Sequence, residues 1–103
     1  MALVFDILED ERRRLLQLKE RYEREIAELP KGSLSRKRRW NKEYVYLAYR
    51  VSNKVKFDYV GSSDSDAVIA VRNKIEQRKS LEEKLRRVKE SIGEVERGLR
   101  GQR

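Results

Sequence analysis

The chain has 103 residues, 43% of them charged and 38% hydrophobic, and its Lys and Arg outnumber Asp and Glu for a net charge of +8. This length suits one small domain with a modest core, and the composition lies between that of an ordinary globular domain and a long-helix protein. Cysteine and histidine are both absent, which excludes disulfides, thiolate nucleophiles, imidazole acid–base chemistry and the commonest zinc ligands.

At the start, Met1-Ala-Leu-Val-Phe-Asp6 has no basic segment and too short an apolar run for a signal peptide, and no stretch is long enough to span a bilayer. The chain therefore reads as soluble and cytoplasmic, and as nucleoid-associated if it binds DNA. A first helix is predicted over 6–29. Asp6 is placed to cap it, and Glu9, Asp10 and Glu11 favour the positive end of its dipole. Leu8, Leu15, Leu18, Tyr22, Ile26 and Leu29 recur at helical spacing and form a narrow apolar stripe, which Pro30 and Gly32 end.

Residues 33–60 change period and read as a three-stranded antiparallel meander. Ser33–Arg39 is the first strand, followed by a turn at Trp40-Asn41-Lys42. The run Tyr44–Val51 is rich in β-branched and aromatic residues, and Val55–Val60 continues in the same manner. Between them Ser52-Asn53-Lys54 reads as the hairpin turn. Val45, Leu47, Tyr49, Val55 and Phe57 are then expected to face the core. The opposite face should carry Lys37, Arg39, Tyr44, Tyr46, Arg50, Lys54 and Lys56.

Ser62-Ser63-Asp64-Ser65-Asp66 is a cluster of cap formers, and a second helix is expected over 64–99. Leu81, Leu85, Val88, Ile92, Val95 and Leu99 alternate steps of four and three, a heptad pattern. The expected fold class is α+β, a single domain 1–103 with two long antiparallel, coiled-coil-like helices flanking the small sheet. The first helix, at about 35 Å, is shorter than the second, at about 52 Å. If the two pair outward from the sheet, Ile92, Val95 and Leu99 are left without an intrachain partner unless Leu3, Val4 and Phe5 fold back over them. Ile92, Val95 and Leu99 form the expected self-association surface of a homodimer.

Charge is strongly segregated. Residues 31–56 hold nine Lys and Arg against the single carboxylate of Glu43, interleaved with Trp40, Tyr44, Tyr46 and Tyr49. Basic residues among planar rings can neutralise phosphates while offering stacking or groove contacts. The candidate nucleic-acid-binding residues are Lys37, Arg38, Arg39, Trp40, Tyr44, Tyr46, Arg50, Lys54 and Lys56. The blander alternative is that rings cover a small sheet and cations keep its outer face soluble. The one-sided sign of the charge favours binding. Acidic residues near the helix starts are explained by the helix dipoles, so no metal site is expected. Without a Gly-rich phosphate loop, a histidine or a convergent acid–base pair, neither cofactor nor catalysis is expected.

The stretch Leu29-Pro-Lys-Gly-Ser-Leu34, with the basic run, Tyr44-Val-Tyr-Leu-Ala-Tyr-Arg50, Lys54-Val-Lys56 and Tyr59-Val-Gly61, resembles a family of small prokaryotic proteins of unknown function. The middle third also resembles the arm-type DNA-binding domain of phage-type tyrosine integrases, which inserts a three-stranded sheet into the major groove. That resemblance implies Lys37, Arg39, Tyr44, Tyr46 and Lys56 as groove-facing residues. The chain departs from it in its two long flanking helices and in lacking a recombinase domain. The expectation is a non-enzymatic nucleic-acid-binding protein, with DNA preferred and RNA as the alternative polymer. The rival reading is a coiled-coil interaction module with a protein partner, as a subunit of a larger enzyme or ribonucleoprotein complex.

Overall fold

The structure, a computed structural model, describes residues 2–101. Helix α1 (Ala2–Ala27) is followed by strands β1 (Ser33–Arg39), β2 (Lys42–Val51) and β3 (Lys54–Ser62), and then by helix α2 (Asp66–Arg100). The strands form one antiparallel sheet in the order β1-β2-β3, which establishes the α+β class and the meander. The chain divides into two compact units. Leu29–Lys79 forms one, and the helical segments up to Glu28 and from Ser80 form the other.

In the helical unit α1 and α2 run antiparallel. Leu15, Val88 and Ile92 make the buried centre, with Leu16, Leu18, Tyr22 and Val95 packed around it. Arg12 meets Glu96 at 3.5 Å, and a Cβ added at Gly98 would lie 3.4 Å from the Leu8 side chain. The seam of α2 therefore has an intrachain partner along its C-terminal part, and this corrects the premise that Ile92, Val95 and Leu99 are left without one. Ile92 is buried, Val95 and Leu99 are half-buried, and Leu99 lines a cleft with Glu9, Arg12, Arg13 and Leu16. Helix lengths alone do not show this, because only part of α2 lies in the unit of α1. The first part of α2, to Lys79, belongs to the sheet unit, so α1 has only the remainder to cover.

A second correction concerns the start of α1. The helix begins at Ala2, with no acidic residue in its first turn, so Asp6 lies inside it rather than capping it. Ala2 to Phe5 contain no breaker, and nothing stops helical hydrogen bonding from extending through them. Leu3, Val4, Phe5 and Ile7 are exposed on this extension.

The sheet unit is built on two-residue loops. Arg39 pairs with Lys42 across Trp40-Asn41, and Val51 pairs with Lys54 across Ser52-Asn53. The first loop residue has positive φ in each, Trp40 at 60° and Ser52 at 55°. Such loops suit the right-handed twist of the strands, and glycine is the usual residue at that position. Gly32, at φ 124°, leads into β1 where a side chain would collide with the Ala48 carbonyl.

Helix α2 starts at a serine cap, with the Val68 amide donating to the Ser65 hydroxyl at 3.3 Å. Its first turns cover one sheet face. Val45 is 1% exposed and Val68 0%. Gly61, opposite Val45 in the ladder, lies against Val68, where a Cβ would come within 3.7 Å. Leu34 borders a small cleft with Arg72, Ile75, Glu76 and Lys79. Arg78, which interrupts the apolar repeat, instead donates to the Leu29 carbonyl at 2.7 Å. No helix among the described residues is long and apolar enough to cross a membrane.

Three outcomes follow from this packing. Leu15→Ala should destabilise the helical unit by about 2–5 kcal/mol in denaturant unfolding. Ser52→Gly, which removes a side chain from a left-handed backbone position, should raise stability by up to about 1 kcal/mol. Glu83 bonds to Arg86 and, more weakly, to Arg87, and these contacts hold its carboxyl at about 2, below the ordinary 4.5. Because the folded value is the lower one, its contribution is present above about pH 4.5 and is lost as pH falls toward about 2. Helicity followed at 222 nm should decline over that window, and less so in Glu83→Gln.

Candidate nucleic-acid interface

Residues opposite one another in an antiparallel ladder point to the same side, so the register assigns each side chain to a face. Leu34 pairs with Leu47, Arg36 with Val45 and Arg38 with Glu43. Across the other seam, Leu47 pairs with Asp58, Tyr49 with Lys56 and Val51 with Lys54. This is the face that α2 covers. On the outer face, Ser35 pairs with Tyr46, Lys37 with Tyr44 and Arg39 with Lys42. There too Tyr46 pairs with Tyr59, Ala48 with Phe57 and Arg50 with Val55.

The outer face thus gathers Lys37, Arg39, Tyr44, Tyr46 and Arg50, together with Trp40 at the rim, as expected from the sequence. Lys54 and Lys56 are not among them, which corrects their expected face, and neither is the candidate Arg38. Lys54 and Lys56 lie on the covered side with Tyr49 and Val51. Arg38 opens beside Glu43 and Asp64 onto a separate cleft. Phe57, expected in the core, lies on the outer face with Tyr59, and 47% and 59% of their surfaces are exposed. The cause is the turn. A three-residue turn Ser52-Asn53-Lys54 would place Val55 opposite Val51, whereas the two-residue loop places Lys54 there, and a one-residue slip reverses every side chain of β3.

A bulge refines the arrangement. Val45 pairs with Gly61 and Tyr46 with Tyr59, which leaves Val60 as an extra residue on β3. It lets Gly61 sit on the covered side against Val68 while Tyr59, two positions earlier, stays on the outer side.

The rings of the outer face form a connected group. Tyr59 meets Tyr46 edge-on at 5.5 Å and Tyr44 at 6.2 Å. The Lys37 ammonium sits over Phe57 at 4.5 Å and over Tyr46 at 5.2 Å from the ring centroids. Arg39, Trp40, Tyr44, Tyr46 and Tyr59 enclose an open cleft of about 300 Å³ at the β1–β2 turn. Trp40 is 95% exposed.

The carboxylates divide between the faces, whereas the cations stand on both, with Arg36, Arg38, Lys54 and Lys56 on the covered side. Lys37, Arg39, Lys42 and Arg50 occupy the outer face with no carboxylate among them. Both carboxylates of the sheet lie on the covered face. Glu43 meets Arg36 at 3.7 Å, and Asp58 accepts a hydrogen bond from Tyr49 that raises the phenol pKa above its ordinary value. Among the described residues no cluster of carboxylates is arranged to hold a metal ion.

The chain belongs to a family described as a domain of unknown function (DUF6788), whose model matches residues 8–69, from α1 through the whole sheet to the start of α2. No curated protein and no solved structure matches it.

Proposed function

We propose that this is a non-enzymatic nucleic-acid-binding protein that uses the outer face of its sheet. The observation that carries the reading is the segregation of the carboxylates: four cations and five rings on the open face with no carboxylate among them, and both carboxylates on the other face. Cations placed only for solubility would be mixed with carboxylates, since either sign keeps a surface in water. A field of one sign across an open sheet attracts a polyanion and weakens as salt screens it. Phosphate contacts by Lys37, Arg39, Lys42 and Arg50 would seat the polymer without reading its sequence. The resemblance of the middle third to integrase arm domains is in keeping with the use of a sheet, and DNA is the polymer that this resemblance alone favours.

The test is fluorescence anisotropy with labelled oligonucleotides. If the four cations each neutralise one phosphate, log K should fall with log salt at a slope of about −3 to −4. Lys37, Arg39 and Arg50 replaced together by Ala should weaken binding by about tenfold or more, with the melting temperature nearly unchanged. Lys54 and Lys56 replaced together, on the covered side, should cost far less. Absence of binding to any nucleic acid at about 50 mM salt, where such contacts are strong, would end the proposal.

A further inference from the structure

The composition of the outer face also indicates what form of nucleic acid it takes. Paired bases in a duplex hide their faces in the stack and present only edges in the grooves, where hydrogen-bonding side chains read them. The centre of this face is aromatic. Tyr44, Tyr46, Phe57 and Tyr59 form its middle, and the cations stand at Lys37 and Arg39 on one side and at Lys42 and Arg50 toward the ends. Rings in that position gain little from a groove. They gain most from a base whose face is free, because stacking on an aromatic ring needs no particular base.

The rings are not equivalent. Phe57 and Tyr46 are already capped by the Lys37 ammonium. Trp40 is almost wholly exposed, and with Tyr44, Tyr59 and Arg39 it walls the cleft at the β1–β2 turn. Trp40 also stands at φ 60°, a left-handed position where a large side chain is strained and glycine is not. Ser52 stands at the same position of the other hairpin, so the loop itself does not call for a tryptophan. An exposed ring in a strained position contributes nothing evident to the fold, and strain retained in this way points to function.

We infer that the cleft of Arg39, Trp40, Tyr44 and Tyr59 receives an unpaired base of a single-stranded polynucleotide, stacked on Trp40, while Arg39 and the neighbouring cations hold the adjoining phosphates. The inference rests on the proposed function and adds the single strand as the form bound. Stacking and phosphate contact act alike on DNA and RNA, so the 2′-hydroxyl has no part in it.

Trp40 is the only tryptophan in the chain, so its emission reports on this cleft alone. The probes are a single-stranded oligonucleotide of about twelve nucleotides, a length within the range one such face can occupy, as DNA and as RNA, and the duplex of the same sequence. A single strand should bind at least about tenfold more tightly than its duplex and should quench Trp40 emission in proportion to occupancy. Trp40→Gly should weaken single-strand binding by about 5- to 140-fold while leaving the melting temperature unchanged or higher, because glycine suits the backbone there. Tyr59→Ala should weaken it as well. Equal or tighter duplex binding with Trp40 emission unchanged would overturn the single-strand inference and leave the proposed function standing. Trp40→Gly binding like the unmodified chain would do the same. Failure of every probe to bind would overturn both.

Discussion

The two-residue loop at Ser52-Asn53 decides what the outer surface of this chain displays. It sets Lys54 directly opposite Val51, and alternation along β3 does the rest. Phe57 and Tyr59 join Tyr44 and Tyr46 on the open side, and Lys54, Lys56 and Asp58 take the opposite face, beside Leu47, Tyr49 and Val51. A single additional loop residue would exchange these sets. The aromatic cleft would lose Tyr59, and the open face would take up a carboxylate among its cations. Register is usually held by a buried hydrophobic set. In β3 the buried anchor is Gly61 against Val68, and the residues preceding the bulge depend on the loop.

The division of labour between the faces follows from size. A three-stranded sheet cannot stand alone in water and needs cover on one side. The first turns of α2 provide it, with Val45 and Val68 wholly buried at the point of contact. Among the described residues of the sheet unit nothing comparable covers the other side, where large rings remain partly in water. Their contacts with one another, and the Lys37 ammonium over Phe57 and Tyr46, reduce the ring surface exposed without closing it off. The face is accordingly stable enough to exist and open enough to bind.

Much of this was readable from the residues. The cap cluster at Ser62–Asp66 marked the start of α2 to within a residue or two, because side-chain oxygens near an apolar run have few other uses. The alternation in Tyr44–Val51 gave β2 and both of its faces. What failed had physical causes. The loop length at Ser52 could not be read because neither Ser52-Asn53 nor Asn53-Lys54 contains the glycine that normally marks a two-residue hairpin. The start of α1 is hidden because Asp6 resembles a cap, although capping requires the chain before it to leave the helix. The pairing of Ile92 was missed because heptad spacing shows that a seam exists but not which part of a long helix belongs to which unit.

Edge protection offers a competing account of the cations on this sheet. Exposed edges invite pairing with other chains, and lysine or arginine on them prevents it. Strand β1, with Arg36, Lys37, Arg38 and Arg39 in succession, is such an edge, and some of its charge serves that end. Edge protection is indifferent to which face a charge points toward and nearly indifferent to its sign. It would be met equally by a carboxylate on the open side of β3, where the sheet has Phe57 and Tyr59. It also gives no reason for Trp40 to project from a hairpin at a backbone angle that favours glycine. The feature left unexplained by edge protection is thus the one that a polyanion with exposed bases would use: cations alone on the open face, with rings between them.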